Sequence, residues 1–155
     1  MPAKSLSNPN DRAELLTRIE RVRPDTPRKW GRMTAPQMIC HLTDAFRGIM
    51  GERPSPSPAA AFPRWKQRLI KLVAIHSPLP WPHGTPTLPH IDSERGGTRP
   101  RAFDADVAEL VQAFERFAAG HGTRGPHFAF GPLSAEEWAR WGYRHVDHHL
   151  RQFGV

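Results

Sequence analysis

Apolar residues recur at three- and four-residue intervals in separate parts of the chain, a pattern typical of amphipathic helices. The pattern predicts five helices, at about 11–23, from 34 to about 50, at about 63–76, at about 104–119 and from 134 nearly to the C-terminus. Two of them begin at a capping box, in Thr34-Ala-Pro-Gln37 and Ser134-Ala-Glu-Glu137. Because neither strand-length alternation nor an internal repeat is present, we predict an all-α helical bundle that forms one domain over residues 1–155.

The helix at 63–76 is short and basic. We expect its apolar residues to share one side, which would pack either on the bundle or on a membrane surface. The apolar residues are Trp65, Leu69, Leu72 and Val73, and the basic residues, expected toward solvent, are Arg64, Lys66, Arg68 and Lys71.

Prolines are concentrated in the middle of the chain, where ten of the 17 lie between Pro54 and Pro100. Proline breaks helices, so the connections around the basic helix must be irregular. Long irregular segments in compact domains are often functional, and we expect residues 77–101 to form a lid near the site.

Composition narrows the classes of partner. The net charge is +7, but the basic residues are scattered and no nucleic-acid motif is present, so we predict no nucleic-acid partner. No apolar run is long enough to span a membrane. One cysteine, Cys40, cannot form an internal disulfide, and the N-terminus lacks the apolar core of a signal peptide, so we expect a cytoplasmic protein.

Three histidines form the main candidate site. His145 and His149 are four residues apart, so they lie on one face of the last helix and can direct their imidazoles at one point. His41 is on the apolar face of the second helix and can supply a third ligand from a facing helix. The sequence thus predicts a divalent-metal site with an open coordination position, suited to zinc, nickel, copper or iron.

Alternatives at this site remain open. His148 competes with His149, because it is three residues from His145. Histidines near a helix C-terminus are also favoured by the helix dipole without binding a metal. Val146 stands where zinc proteases carry their catalytic glutamate, so protease activity is disfavoured, and Asp44, one turn after His41, is the better candidate base or supporting residue.

The segments QMICHLTDAFRG and YRHVDHHLRQFG resemble the paired signatures of the DinB-like (YfiT-like) metal-binding bundles. The sequence of the last helix is similar to those of a branch of that superfamily whose function is unknown. The resemblance implies a four-helix bundle of up-down-down-up topology, with a long crossover that here carries the extra short helix. It also implies a divalent ion, zinc or nickel foremost, on His41, His145 and His149.

Two functions follow from the residues and the resemblance together. The first is a metal-dependent transferase or hydrolase that acts on a small molecule, with a low-molecular-weight thiol as co-substrate in some relatives. The second is a non-catalytic metal-binding or stress-related interaction protein. Some bundles of this kind are homodimers, which is a further expectation.

Overall fold

A computed structural model describes residues 3–53 and 62–155, and within these ranges the protein is all-helical with no β-strand. A single isolated bridge joins His127 and Gly131. The helices are α1 (Pro9–Ile19), α2 (Ala35–Ile49), α3 (Arg64–Lys71), α4 (Phe103–Ala118) and α5 (Ala135–Gln152). A π-helical turn (Leu72–His76) continues α3, and a 3₁₀ turn (Pro89–Ile91) lies between it and α4. No helix in the described ranges is long and apolar enough to cross a membrane.

Both predicted capping boxes are present. At α2, Gln37 N donates to Thr34 Oγ1 at 3.3 Å and Thr34 N donates to Gln37 Oε1 at 2.9 Å. At α5, the same two contacts join Ser134 and Glu137 at 3.1 and 2.8 Å. Each box satisfies an amide of the first turn and fixes where the helix begins, so the registers of α2 and α5 follow from local sequence.

The prediction that the first helix reaches residue 23 is wrong. The helix ends at Ile19, and its pattern then continues through tighter turns. Arg21 N donates to Arg18 O and Val22 N to Ile19 O, both at 3.1 Å, which are i to i+3 bonds rather than α-helical ones. Val22 is still buried, so the apolar periodicity reported burial correctly and the helix boundary incorrectly.

The core holds α2 and α5 in fixed register. Phe46 of α2 packs on Phe117 of α4 with ring centroids 4.8 Å apart, and Phe117 packs on Trp141 of α5 at 5.8 Å. Phe46 and Trp141 themselves meet edge to face at 6.2 Å. These buried rings link the three helices beside the histidine-bearing turns, so the core positions the site.

The apolar side of the basic helix does not pack on the bundle, so the first of its two predicted packing partners is excluded and the membrane surface stays a prediction. Its apolar residues Trp65, Leu69 and Leu72 are exposed, with 69%, 55% and 59% of their surface open to solvent. The buried residues on its inner side are Gln67 and Ile75. Periodicity located an apolar face on this helix, but which face packs inward depends on the neighbouring elements, and here α5 contacts the opposite side.

Candidate metal centre

His41, His145 and His149 meet at one point between α2 and α5. One ring nitrogen from each residue lies within 4.8 Å of the other two, and His41 Nε2 is 3.2 Å from His145 Nε2. Metal–nitrogen bonds of about 2.0–2.1 Å in tetrahedral geometry place two nitrogens about 3.3 Å apart. The spacing is therefore close to that of a three-histidine site.

The backbone of the 3₁₀ turn fixes the tautomer of His41. His41 Nδ1 lies 3.1 Å from the carbonyl oxygen of Ile91. A carbonyl oxygen can only accept, so Nδ1 of the neutral ring carries the proton and Nε2 keeps its lone pair. That lone pair is the one that faces His145.

A side-chain amide fixes the tautomer of His149 in the same way. Gln152 Nε2 donates to the carbonyl oxygen of Trp30 at 2.9 Å, which turns Gln152 Oε1 toward His149 Nδ1, also at 2.9 Å. His149 Nδ1 must then donate, and its Nε2 is left for another partner. Support of this kind, from a group behind the ring, is usual for histidines that bind metals.

Burial keeps the three rings neutral. It lowers the pKa of His41, and it lowers the pKa of His145 and His149 well below the ordinary value, with the neighbouring histidines adding to the effect at both. A neutral imidazole is the form that ligates a metal, because the protonated ring has no lone pair. The surroundings thus favour the ligand form at neutral pH.

The residues fit a metal ion on a further observation. His145 Nδ1 is buried and has no hydrogen-bond partner within the described ranges. The Nε2 atoms of His41 and His149, as their tautomers require, are both acceptors directed at the same space. Of the three rings only His145 can place an N–H among these nitrogens, with its Nε2 3.2 Å from His41 Nε2, so protein donors satisfy at most one acceptor, whereas a cation at the common point would bind all three rings.

Asp44 does not face the three imidazoles with a free carboxylate. Its side chain is 1% exposed and accepts from Thr98 N at 2.6 Å, from Thr98 Oγ1 at 2.8 Å and from Arg53. Arg53 also donates to the Gly96 carbonyl at 2.6 Å. These contacts hold residues 91–98, which we call the covering segment and which contain Ile91, against α2. They favour a positioning role for Asp44. The predicted role of Asp44 as a base stays a prediction.

Aromatic side chains from three parts of the chain lie beside the histidines. Trp30 and His83 stack with centroids 3.8 Å apart, and His148 lies 6.0 Å from Trp30 and 5.9 Å from Trp81. His148 is thus part of this wall, while His149 belongs to the three-nitrogen cluster. Trp81 also packs against His145 at 6.0 Å, so the wall adjoins the cluster.

Sequence reasoning missed several of these supporting groups. It predicted no role for His83, and it gave no role to the carbonyls of Trp30 and Ile91, because backbone groups carry no residue-specific signal. The expectation of a lid is met in part, since Trp81, His83 and Ile91 of the 77–101 segment all lie at the site. Gln152, which follows the histidine pair within one helical turn, is the group that orients His149.

The fold and the site define an all-helical protein with three buried histidines that could hold a metal ion. The chain belongs to the family described as "Protein of unknown function (DUF1569)", whose profile matches residues 59–154, more than half of the 155 residues. The match includes His145 and His149, and His41 precedes it. Comparisons with curated proteins and with solved structures find no match.

Proposed function

We propose that this protein is a divalent-metal-dependent enzyme of the DinB-like type, a transferase or hydrolase that acts on a small molecule. The observation that carries the proposal is the pair of fixed tautomers. His41 and His149 each have Nδ1 bound to a protein acceptor, so their Nε2 lone pairs are available beside His145. Three imidazoles suit zinc, nickel, copper or iron, and the resemblance to the DinB-like bundles favours zinc or nickel among these.

We propose further that α1, α2, α4 and α5 form a four-helix bundle of up-down-down-up topology. Packing of α2 on α4, of α1 on α5 and of α2 on α5 supports this arrangement. The crossover is the chain between α2 and α4, and α3 is the extra short helix within it. Ligands on two packed helices of a bundle are a usual way to build a metal site.

An ion held by three imidazoles would supply Lewis-acid chemistry, lowering the pKa of a water or a low-molecular-weight thiol bound beside it. The chain's own residues hold the imidazoles in place and limit the access of water. Trp81 is itself held by a 2.8 Å hydrogen bond from its Nε1 to the Ala74 carbonyl. The flat faces of Trp30, Trp81, His83 and His148 suit contact with an apolar or planar part of a substrate.

Metal analysis tests whether the protein binds a divalent ion. Protein purified after growth with added zinc and nickel is expected to contain about one equivalent of divalent metal, and His148→Ala is expected to retain it. Fully folded protein without bound metal would contradict the proposal.

Cobalt substitution tests whether the bound ion has a coordination position open to a substrate. If a coordination position is open to a substrate, adding a small thiol to the Co(II) form should change its visible absorption and produce a thiolate charge-transfer band. A Co(II) spectrum that neither thiol nor azide changes would indicate a closed site. Such a site would favour a non-catalytic metal-binding protein over an enzyme.

A further inference from the structure

The outer face of α3 and its π-helical continuation is apolar. We call it the α3 surface and define it by Trp65, Leu69, Leu72 and Val73. Every exposed large apolar side chain in residues 3–53 and 62–155 lies between Trp65 and Leu79. An exposed apolar cluster of this kind marks an interaction site more often than scattered exposed side chains do.

The orientation of α3 is fixed by contacts on its inner side. Lys71 Nζ lies 3.1 Å from Glu137 Oε1 of α5 and donates to the Pro132 carbonyl at 3.2 Å. His76 Nε2 lies 3.0 Å from the same Glu137 oxygen. Turning the helix to bury the α3 surface would break these contacts and would expose Ile75, so the apolar face is presented outward by the packing.

Cations border the α3 surface on both sides. At about 100° per residue, Arg64 and Arg68 lie along one edge and Lys66 along the other. Neither the Arg64 guanidinium nor the Arg68 guanidinium has a hydrogen-bond or ion-pair partner among the described residues. The sequence from Arg53 to Ile91 contains no Asp or Glu, so no nearby acidic residue in this segment neutralises them.

The same two arginines open onto a cavity of about 370 Å³. Its lining consists of Arg64, Gln67, Arg68, Lys71, Phe130 and Pro132. None of the six residues is acidic, and although Lys71 is paired with Glu137, the side chains of Arg64 and Arg68 are not paired with an acidic residue of the described ranges, so the cavity suits a phosphate group. A phosphate site directly beside an exposed apolar strip matches the chemistry of a lipid headgroup and its acyl chain.

We infer that the α3 surface docks on an anionic lipid membrane, lying in the plane of the interface. Trp65, Leu69 and Leu72 enter the boundary between headgroups and acyl chains, and Arg64 and Arg68 bind lipid phosphates. A second copy of the chain is the less favourable occupant, because a symmetric contact would bring the same unpaired cations together. This docking is independent of the metal centre.

Vesicle sedimentation of the full chain tests the inference. We expect binding to vesicles of 70:30 phosphatidylcholine and phosphatidylglycerol (about this ratio, enough for a negative surface), weak binding to phosphatidylcholine alone, and release at high salt. Arg64→Gln/Arg68→Gln should weaken binding about fivefold for each cation, or about 25-fold for both. Leu69→Gln/Leu72→Gln should abolish binding, because both polar side chains oppose insertion.

Matched variants separate docking from general charge or folding. Arg21→Gln/Arg32→Gln removes the same charge from two exposed arginines outside α3 and should bind as the parent does. Thermal unfolding and metal content should be unchanged in every variant. Quenching of Trp fluorescence by brominated anionic lipid should be lost in Trp65→Phe if Trp65 enters the bilayer.

Three results would overturn the inference. The first is absence of sedimentation with anionic vesicles. The second is equal binding to neutral and anionic vesicles, since the argument rests on charge complementarity. The third is a dimer in solution that Leu69→Gln/Leu72→Gln converts to a monomer, which would assign the α3 surface to a second copy.

Discussion

The candidate metal centre and the α3 surface each depart from the usual distribution of polar and apolar groups, in opposite directions. At the metal centre, three imidazoles are buried and two have their outer nitrogens satisfied by protein acceptors. At the α3 surface, Trp65 and Leu69 are exposed and two arginines lack partners among the described residues. Buried polar groups and exposed apolar clusters both cost free energy in an isolated chain. The protein has both features, and they suit different external partners: a metal cation at the three imidazoles, and an apolar, anionic surface at α3.

The largest expected effect is on metal affinity, when one of the three candidate ligand imidazoles is removed. Replacing His41, His145 or His149 with Ala should weaken metal binding by more than about 100-fold, the upper limit for loss of a supporting contact alone. Calorimetric titration with zinc measures the affinity. His148→Ala is the matched control, because its ring belongs to the neighbouring wall, and a loss as large in that variant would exchange the roles of His148 and His149.

Removal of the Asp44 carboxylate should have the next largest effect. Asp44→Ala leaves Thr98 N without its acceptor and removes one of the acceptors of Arg53, which should lower the free energy of unfolding by about 1.5–3 kcal/mol. Urea unfolding measures this change, and hydrogen exchange should rise at Ile91 and Thr98 because the covering segment is released. If Asp44→Asn instead abolishes turnover with metal affinity and stability intact, Asp44 acts as the base and not as a fastener.

Removal of the Gln152 amide tests the support behind His149. Gln152→Ala should weaken metal binding by about 10–100-fold, because His149 loses the acceptor that fixes its tautomer. Gln152→Glu is the matched variant, since its carboxylate still accepts from Nδ1 but no longer donates to the Trp30 carbonyl. Unchanged metal affinity in Gln152→Ala would show that the contact does not orient the ring.

Acid should destabilise the metal-free protein. Burial lowers the pKa of the three site histidines, and it lowers the pKa of His127 to about 4. Below about pH 6.5 the unfolded chain therefore binds more protons than the folded chain, so stability falls as pH falls, by up to about 1.4 kcal/mol per pH unit for each histidine.

Urea unfolding at several pH values between about 7.5 and 5.5 checks this slope. His127→Phe should make the slope shallower by one histidine's share without altering the site. A slope that is absent in the metal-free parent would mean that the site histidines are protonated in the folded state.

Local chemistry explains which parts of the fold could be predicted. The capping boxes at Thr34 and Ser134 are complete within four residues, so the starts of α2 and α5 were predicted correctly. The four-residue spacing of His145 and His149 is a property of one helix, and the apolar neighbours of His41 place it inward. That these three residues meet between α2 and α5 was predicted from their core-facing positions and from the family resemblance, and their proximity is confirmed.

Long-range contacts decided what the sequence pattern left open. The periodicity of the basic helix is the same whether its apolar face packs inward or outward. The outward direction of the apolar face is set by contacts such as those of Glu137 on α5, which pairs with Lys71 and His76. The partner of Asp44 also depends on a distant contact, since nothing near Asp44 in sequence indicates that Thr98, 54 residues away, donates to its carboxylate. Its predicted role as a base stays a prediction.

The sequence by itself determined the helical class, the helix starts and the three histidines that face inward, because each depends on groups within about one or two helical turns. Tertiary structure alone decided the tautomers of the imidazoles, the fastening of the covering segment and the outward face of α3. Those features depend on backbone carbonyls and charged partners brought together from distant positions, and the packing of the core sets their distances.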